Sequence, residues 1–240
     1  MLILALDTTT RAGSLALLGG DAIIAAERGD AARAHGVRLP GEIVRLLARH
    51  QLTLPAIDLF AVAVGPGSFT GLRVGIATMQ GLALASGKGL VGVSALDALA
   101  AAVGRRQAAG TDADTPEVAV WMDAQRREVF AALYGGVPFG ILDGPLVAPP
   151  ADVLARWAPR LPAGRVRFVG DGALAYRPLV AARGDEVVEP TPLVAPLVAA
   201  LAARAASAGA VPGPGAVRPL YVRRPDAELA RERALAQAPR

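Results

Sequence analysis

Leu2-Ile3-Leu4-Ala5-Leu6-Asp7-Thr8-Thr9-Thr10 opens the chain, and its reading decides the fold class. The apolar run reads as a buried strand over 2–7 that ends on an aspartate. A hydroxyl-rich turn, Thr8 to Gly13, follows it. Ser14–Leu18 and Ala22–Glu27 read as the next two strands, joined by Gly19-Gly20-Asp21 as a hairpin turn. Leu39, Ile43, Leu46 and Leu47 then fall on one face of a helix over 37–50.

Leu59–Val64 is a second apolar strand, broken by Gly65-Pro66-Gly67. Ser68 has the N-cap chemistry to start a long helix to about Ser86. A short strand over 90–93 follows, and Ser94 caps a helix to about Val103. Strands alternating with helices make this an α/β protein.

The second half echoes the first. Strands over 117–123 and 128–134 flank a charged turn, and the first ends on Asp123 as the opening strand ends on Asp7. A strand over 165–169 meets Gly170-Asp171-Gly172, as Leu59–Val64 meets Gly65-Pro66-Gly67. Helices are expected over 173–182 and 192–207. The same events in the same order point to a duplicated fold with two lobes. The expected organisation is one lobe over 1–103, a polar linker over 104–116, a second lobe over 117–220 and a basic tail over 221–240.

Composition narrows the function. With 53% hydrophobic and 19% charged residues the chain builds a core. It has no cysteine and two histidines, His35 and His50, so thiolate and histidine-rich metal sites are excluded. No apolar run reaches the roughly 18 residues of a membrane helix, and a soluble cytoplasmic protein is expected. The net charge of +4 is carried almost wholly by arginine, with Lys88 the single lysine. An arginine-rich composition explains that balance, and so does a nucleic-acid partner. Arg223, Arg224, Arg231 and Arg233 in the tail are candidates for phosphate contacts, or a solvated end.

Two stretches can carry chemistry. Gly65-Pro66-Gly67-Ser68-Phe69-Thr70-Gly71 feeds a helix N-terminus, where free N–H groups bind anions. It lacks the Lys-Ser/Thr of a Walker A loop, since Leu72-Arg73 follows. A structural turn and a phosphate site both fit it. Gly71 and Gly75 each cost about 1 kcal/mol in a helix interior relative to alanine, which implies close approach of another backbone, either from this protein's own sheet or from a second subunit. His35 stands alone and reads as a capping or packing residue.

An aspartate ending the first strand, then Thr8-Thr9-Thr10, then a hairpin, resembles the first phosphate loop of the actin-like ATPase fold. The run from Gly65 to Gly75, with Val91 to Leu99, Asp123 to Phe130 and Pro219 to Pro225, resembles the TsaB family of tRNA threonylcarbamoyladenosine biosynthesis over nearly the whole chain. Gln125 and Phe130 depart from the usual Arg and Tyr of the third segment.

The resemblance implies a duplicated actin-like fold (ASKHA, RNase H-like). It also implies a non-catalytic subunit that pairs with a TsaD-like catalytic paralogue, with a TsaE-like ATPase as third partner, tRNA reached through the complex, and a homodimer when alone. It makes the helix carrying Ser68, Phe69, Thr70, Gly71, Leu72, Arg73, Gly75, Ile76 and Met79 the dimerisation surface. Ala95 and Leu99 stand where the catalytic paralogue has a His-x-x-x-His metal pair, so no metal is expected here. ATP would be used by the complex, with Mg and a further metal on the partners. Asp7, Thr8 and Thr9 remain candidates for a nucleotide site, and a stand-alone actin-like ATPase or kinase is the alternative.

Overall fold

The computed structural model describes residues 1–104, 117–136, 139–161, 163–189 and 193–223. The expected linker beyond Gly104, and Arg224, Arg231 and Arg233 of the tail, lie outside the described residues.

The first sheet grows from β1 (Leu2–Asp7), β2 (Ser14–Gly19), β3 (Ala22–Arg28), β4 (Leu59–Gly65) and β5 (Gly89–Ser94), in the order β3-β2-β1-β4-β5. The meander β1-β2-β3 is antiparallel, whereas β4 and β5 add in parallel beside β1. The parallel strands need crossovers. These are α1 (His35–Arg49), between β3 and β4, and α2 (Phe69–Ser86), between β4 and β5. After β5 comes α3 (Ala95–Gly104).

The second sheet repeats this plan with β6 (Val118–Asp123), β7 (Val129–Gly135), β8 (Gly140–Ala148), β9 (Arg167–Val169) and β10 (Glu186–Val187). Its order is β8-β7-β6-β9-β10, again an antiparallel meander with two parallel strands beside its first member. The helices α4 (Pro150–Trp157), α5 (Asp171–Ala175), α6 (Arg177–Ala181) and α7 (Val194–Ser207) complete it. This is the duplicated, two-lobed actin-like arrangement expected from the sequence. None of the described helices is long and apolar enough to cross a membrane.

Packing runs across the expected lobe limits. Helix α7 lies on the first sheet, against β1 and β2, while α3 lies against β6 of the second. Each half hands its last helix to the other, and one core joins Ile3, Ala16, Leu96, Val120 and Val198 across both. The anchoring is polar as well, because Ala195 N donates to the buried Ser14 Oγ at 3.0 Å. The chain after α7 also returns to the first lobe, where Val217 is buried and Leu220 N donates to Val64 O at 2.7 Å. A cut between 103 and 117 therefore divides the chain but not the packing.

Other differences are local. Strands β8 and β10 and helix α4 have no counterpart in the sequence reading. The single helix expected over 173–182 is two short ones that meet at Tyr176. Pro178 has no N–H to offer the Leu174 carbonyl, so the first helix cannot run on.

Candidate functional site

Between the lobes lies an open cleft of about 1820 Å³. Its floor is set by the two first strands. Asp7 ends β1, Asp123 ends β6, and Asp171 opens α5. All three line the cleft with Thr9, Thr10 and Ser68.

The three carboxylates are already engaged. Asp7 is 3% exposed, and its Oδ1 accepts from Thr9 N at 2.8 Å and Thr9 Oγ1 at 2.6 Å. Burial pushes its pKa above the usual carboxylate range, against the Thr9 hydrogen bonds, and the charge of Asp171 adds to the rise. Asp123 accepts from Gln125 N at 2.8 Å and Gln125 Nε2 at 2.6 Å. Asp171 Oδ1 accepts from Asp123 N at 2.9 Å and Gly172 N at 3.0 Å, and its pKa is raised by burial. Thr10 Oγ1 accepts from Gly13 N at 3.1 Å. These groups hold their own loops.

Thr8, expected with Asp7 and Thr9 at a nucleotide site, lies apart from them. It does not line the cleft but is buried under α2, where its Oγ1 meets no partner. Among the described residues no group of three acids or histidines can hold a metal ion. Ala95 and Leu99 are buried and apolar on α3 and cannot ligate a cation.

His35 ties the first turn to α1. Its Nε2 lies 3.0 Å from Thr10 O and its Nδ1 2.8 Å from a guanidinium nitrogen of Arg38. A carbonyl cannot donate and a guanidinium cannot accept, so the ring is neutral with its proton on Nε2. Burial and the Arg38 charge both lower its pKa, in agreement. Arg38, buried in the first turn of α1, also donates to Ala12 O and pairs with Glu42. Sequence reading assigns this arginine no role, although its place one turn after His35 is a signal.

Helix α2 resolves the two readings of its glycines. A Cβ on Gly71 would overlap Thr8 O, and one on Gly75 would overlap Thr8 Oγ1. Gly67 faces Thr9 in the same way, with Thr9 Cα 2.6 Å from a built Cβ. The close approach is thus to the protein's own turn. Gly71, Leu72, Gly75, Ile76 and Met79, expected at a subunit interface, are buried in this chain. Ser68, Thr70 and Arg73 are exposed and Phe69 half-buried. The expected cap is present, with Ser68 Oγ accepting from Gly71 N at 3.2 Å.

A strap over 220–223 closes one end of the cleft, and the sequence did not reveal it. Tyr221 lies 4.8 Å from the Phe69 ring, and Arg73 stacks on Phe69 at 3.8 Å while donating to Tyr221 Oη at 3.0 Å. Arg223 reaches the second lobe, donating to Ala124 O at 2.6 Å and pairing with Glu128. Four residues staple the two lobes. Arg223 is thereby spent on the protein itself.

Residues 28–213 match the family model described as TsaD, tRNA N6-adenosine threonylcarbamoyltransferase. The TsaB protein of Escherichia coli is 36% identical over 144 residues, 60% of this chain and 59% of that protein. YeaZ from Pseudomonas aeruginosa superposes with a TM-score of 0.69 and 28% identity, covering 92% of this chain and 100% of that one. The chain belongs to the TsaD family, as a member of the TsaB/YeaZ type. An uncharacterised protein of Mycobacterium leprae is 35% identical over 239 residues; the alignment takes in 95% of this chain but 56% of that protein. The chain thus spans little more than half the length of some relatives it matches.

Proposed function

We propose that this chain is the non-catalytic partner subunit of the complex that forms N6-threonylcarbamoyladenosine on tRNA, pairing with a TsaD-like catalytic paralogue. The observation that carries the reading is a TsaB/YeaZ-type fold whose cleft acids are consumed by Thr9, Gln125, Asp123 and Gly172. In this reading the metal and the transfer chemistry belong to the paralogue. ATP is used by the complex, with a TsaE-like ATPase as third member. A stand-alone ATPase or kinase is not favoured, because the first-turn aspartate and threonine are not free to hold a hydrated metal.

The partner surface is the outer side of the crossover helices of the first lobe, not their glycine side. Val37 and Val44 on α1 are 69% and 66% exposed, and Leu84 on α2 is 65% exposed. Ala77 and Gly81 lie on the same exposed side of α2 as Leu84, and nothing lies within 4 Å of a Cβ at Gly81. Apolar residues beside small ones let a second helix pack closely. A second copy of the chain would use the same side when the paralogue is absent.

Co-purification with the paralogue tests the assignment. Val44→Glu with Leu84→Glu should leave the circular dichroism of the chain unchanged and abolish pairing and reconstituted threonylcarbamoyl transfer. Transfer by the isolated chain at substoichiometric amounts would overturn the partner-subunit reading.

A further inference from the structure

We infer that the mouth of the inter-lobe cleft binds the phosphodiester backbone of RNA, through Arg11, Arg28 and Arg33. The inference rests on the reading of the chain as a subunit of a tRNA-modifying complex. It adds that this subunit touches the nucleic acid itself, at the cleft.

Three separate segments deliver these arginines to one lip. Arg11 sits in the turn after β1, Arg28 ends β3, and Arg33 lies in the loop before α1. All three are exposed and all line the cleft. The nearby acids are committed elsewhere. Glu27 pairs with Arg49, Glu42 pairs with Arg38, and Asp30 accepts from Ala32 N at 2.9 Å within its own loop. Arg11, Arg28 and Arg33 make no ion pair among the described residues. No such ion pair holds these three guanidinium groups, so they are free to turn to a polyanion that comes to the cleft.

Across the cleft, on the β6–β7 turn, Arg127 is exposed. Backbone φ values of 58°, 56° and 62° at Gln125, Arg126 and Arg127 make this a left-handed turn of non-glycine residues. Three arginines from separate segments, spread along the cleft, suit a string of phosphates better than one small anion, for which donors must converge on a single group. The aromatic pair that lines the cleft, half-buried Phe69 with Tyr221, is already covered by Arg73. With this pair so engaged, the contact positions the backbone without reading sequence.

The test is fluorescence anisotropy of a labelled tRNA anticodon stem-loop against the full chain, alone and with the paralogue, between about 50 and 200 mM salt. Replacing the three residues together (Arg11→Ala, Arg28→Ala, Arg33→Ala) should weaken binding at least about tenfold at low salt. It should also flatten the log K against log salt slope by about 2 to 3, near 0.7–0.9 per lost phosphate contact. The matching Arg→Lys triple should recover most of the slope, and Arg160→Ala, on the far side of the second lobe, should change nothing. A shuffled stem-loop should bind equally well.

Unchanged affinity and slope in the alanine triple would overturn the inference, as would absence of RNA binding by both chain and complex. Full displacement by millimolar inorganic phosphate would also overturn it and mark a small-anion site. Pairing with the paralogue is measured on the same samples. If pairing fails while arginine-dependent RNA binding persists, the partner-subunit reading falls and the RNA surface stands.

Discussion

The two lobes share one topology and differ in what surrounds it. In the first, the crossover helices run 15 and 18 residues, and the parallel strands β4 and β5 run 7 and 6. In the second, α4 has 8 residues, α5 and α6 have 5 each, and β9 and β10 have 3 and 2. What survives in both is the junction at the centre. A first strand ends on an aspartate, and a glycine-bearing turn from the neighbouring parallel strand presses on it.

Parallel neighbours lie about 4.8 Å apart, so the turns leaving their C-terminal ends must cross at backbone contact. Gly67 meets Thr9 in the first lobe, and Gly172 meets Asp123 N, 3.0 Å from a built Cβ, in the second. The glycines are there because the fold needs them. What separates the lobes is the long, partly apolar outer face of α1 and α2, which the second lobe does not have.

Gly75→Leu is the hardest blow to that account. A side chain there collides with Thr8, which is itself fully buried beneath the helix. The expected cost is at least about 3 kcal/mol, read as loss of Tm in a thermal melt. Gly172→Leu should cost less, because the five-residue α5 can shift where the 18-residue α2 cannot. A Gly75→Leu chain that kept its Tm and lost only its partner would show the glycine face to be intermolecular and reverse the comparison.

Much of the first lobe was legible because its signals are local. Strand periodicity, the Gly19-Gly20-Asp21 hairpin and the caps Ser68 and Ser94 need only their neighbours in sequence. The second lobe hid β8, an edge strand interrupted by Gly144-Pro145, and a β10 of two residues. In the candidate site Asp7 and Thr9 were legible from the strand-turn pattern. Periodicity also put Gly71 and Gly75 on one face, but it cannot say whose atoms fill the space opposite. The strap of Tyr221 on Phe69 and the helix exchange of α3 and α7 join residues far apart in sequence, and no local pattern announces them.

Helix starts sharpen the contrast at smaller scale. Ser68 caps α2 through Gly71 N, whereas α5 has no side-chain cap. Ser68→Ala should cost about 1 kcal/mol. Introducing Ser at Gly170 should give no such gain, because its φ of 118° and the nearby Trp121 carbonyl exclude a side chain. Chemical denaturation of the two variants, compared at equal slope, checks both. A stabilised Gly170→Ser chain would mean that the second junction is looser than its geometry indicates.

The smallest effects expected are electrostatic, and they carry opposite signs in the two lobes. Burial raises the Asp7 pKa, against the pull of two Thr9 hydrogen bonds, so the fold disfavours its charged form. Because the folded pKa lies above the unfolded one, the folded state binds the extra proton. Stability therefore falls as pH rises from the usual carboxylate range through the folded value. Asp7→Asn keeps an oxygen for Thr9 N and Thr9 Oγ1 and removes the charge. It should raise Tm at pH 7, and the gain should vanish at acid pH, where Asp7 is protonated in both states.

Asp143, at the edge of the second lobe, runs the other way. Arg156 binds it at 2.6 and 2.8 Å and Trp157 Nε1 donates at 2.9 Å, holding its pKa down at about 2. Its contribution is complete above the ordinary carboxylate value and is lost as pH falls through about 2. Asp143→Asn should therefore lower Tm at pH 7, with the difference shrinking below pH 4. Melts of both variants across pH 2–8 read the two signs directly. If both substitutions shifted Tm the same way at pH 7, Asp7 would be held as an ion and not merely tolerated as one. The first-lobe turn would then have to be reconsidered as a cation site.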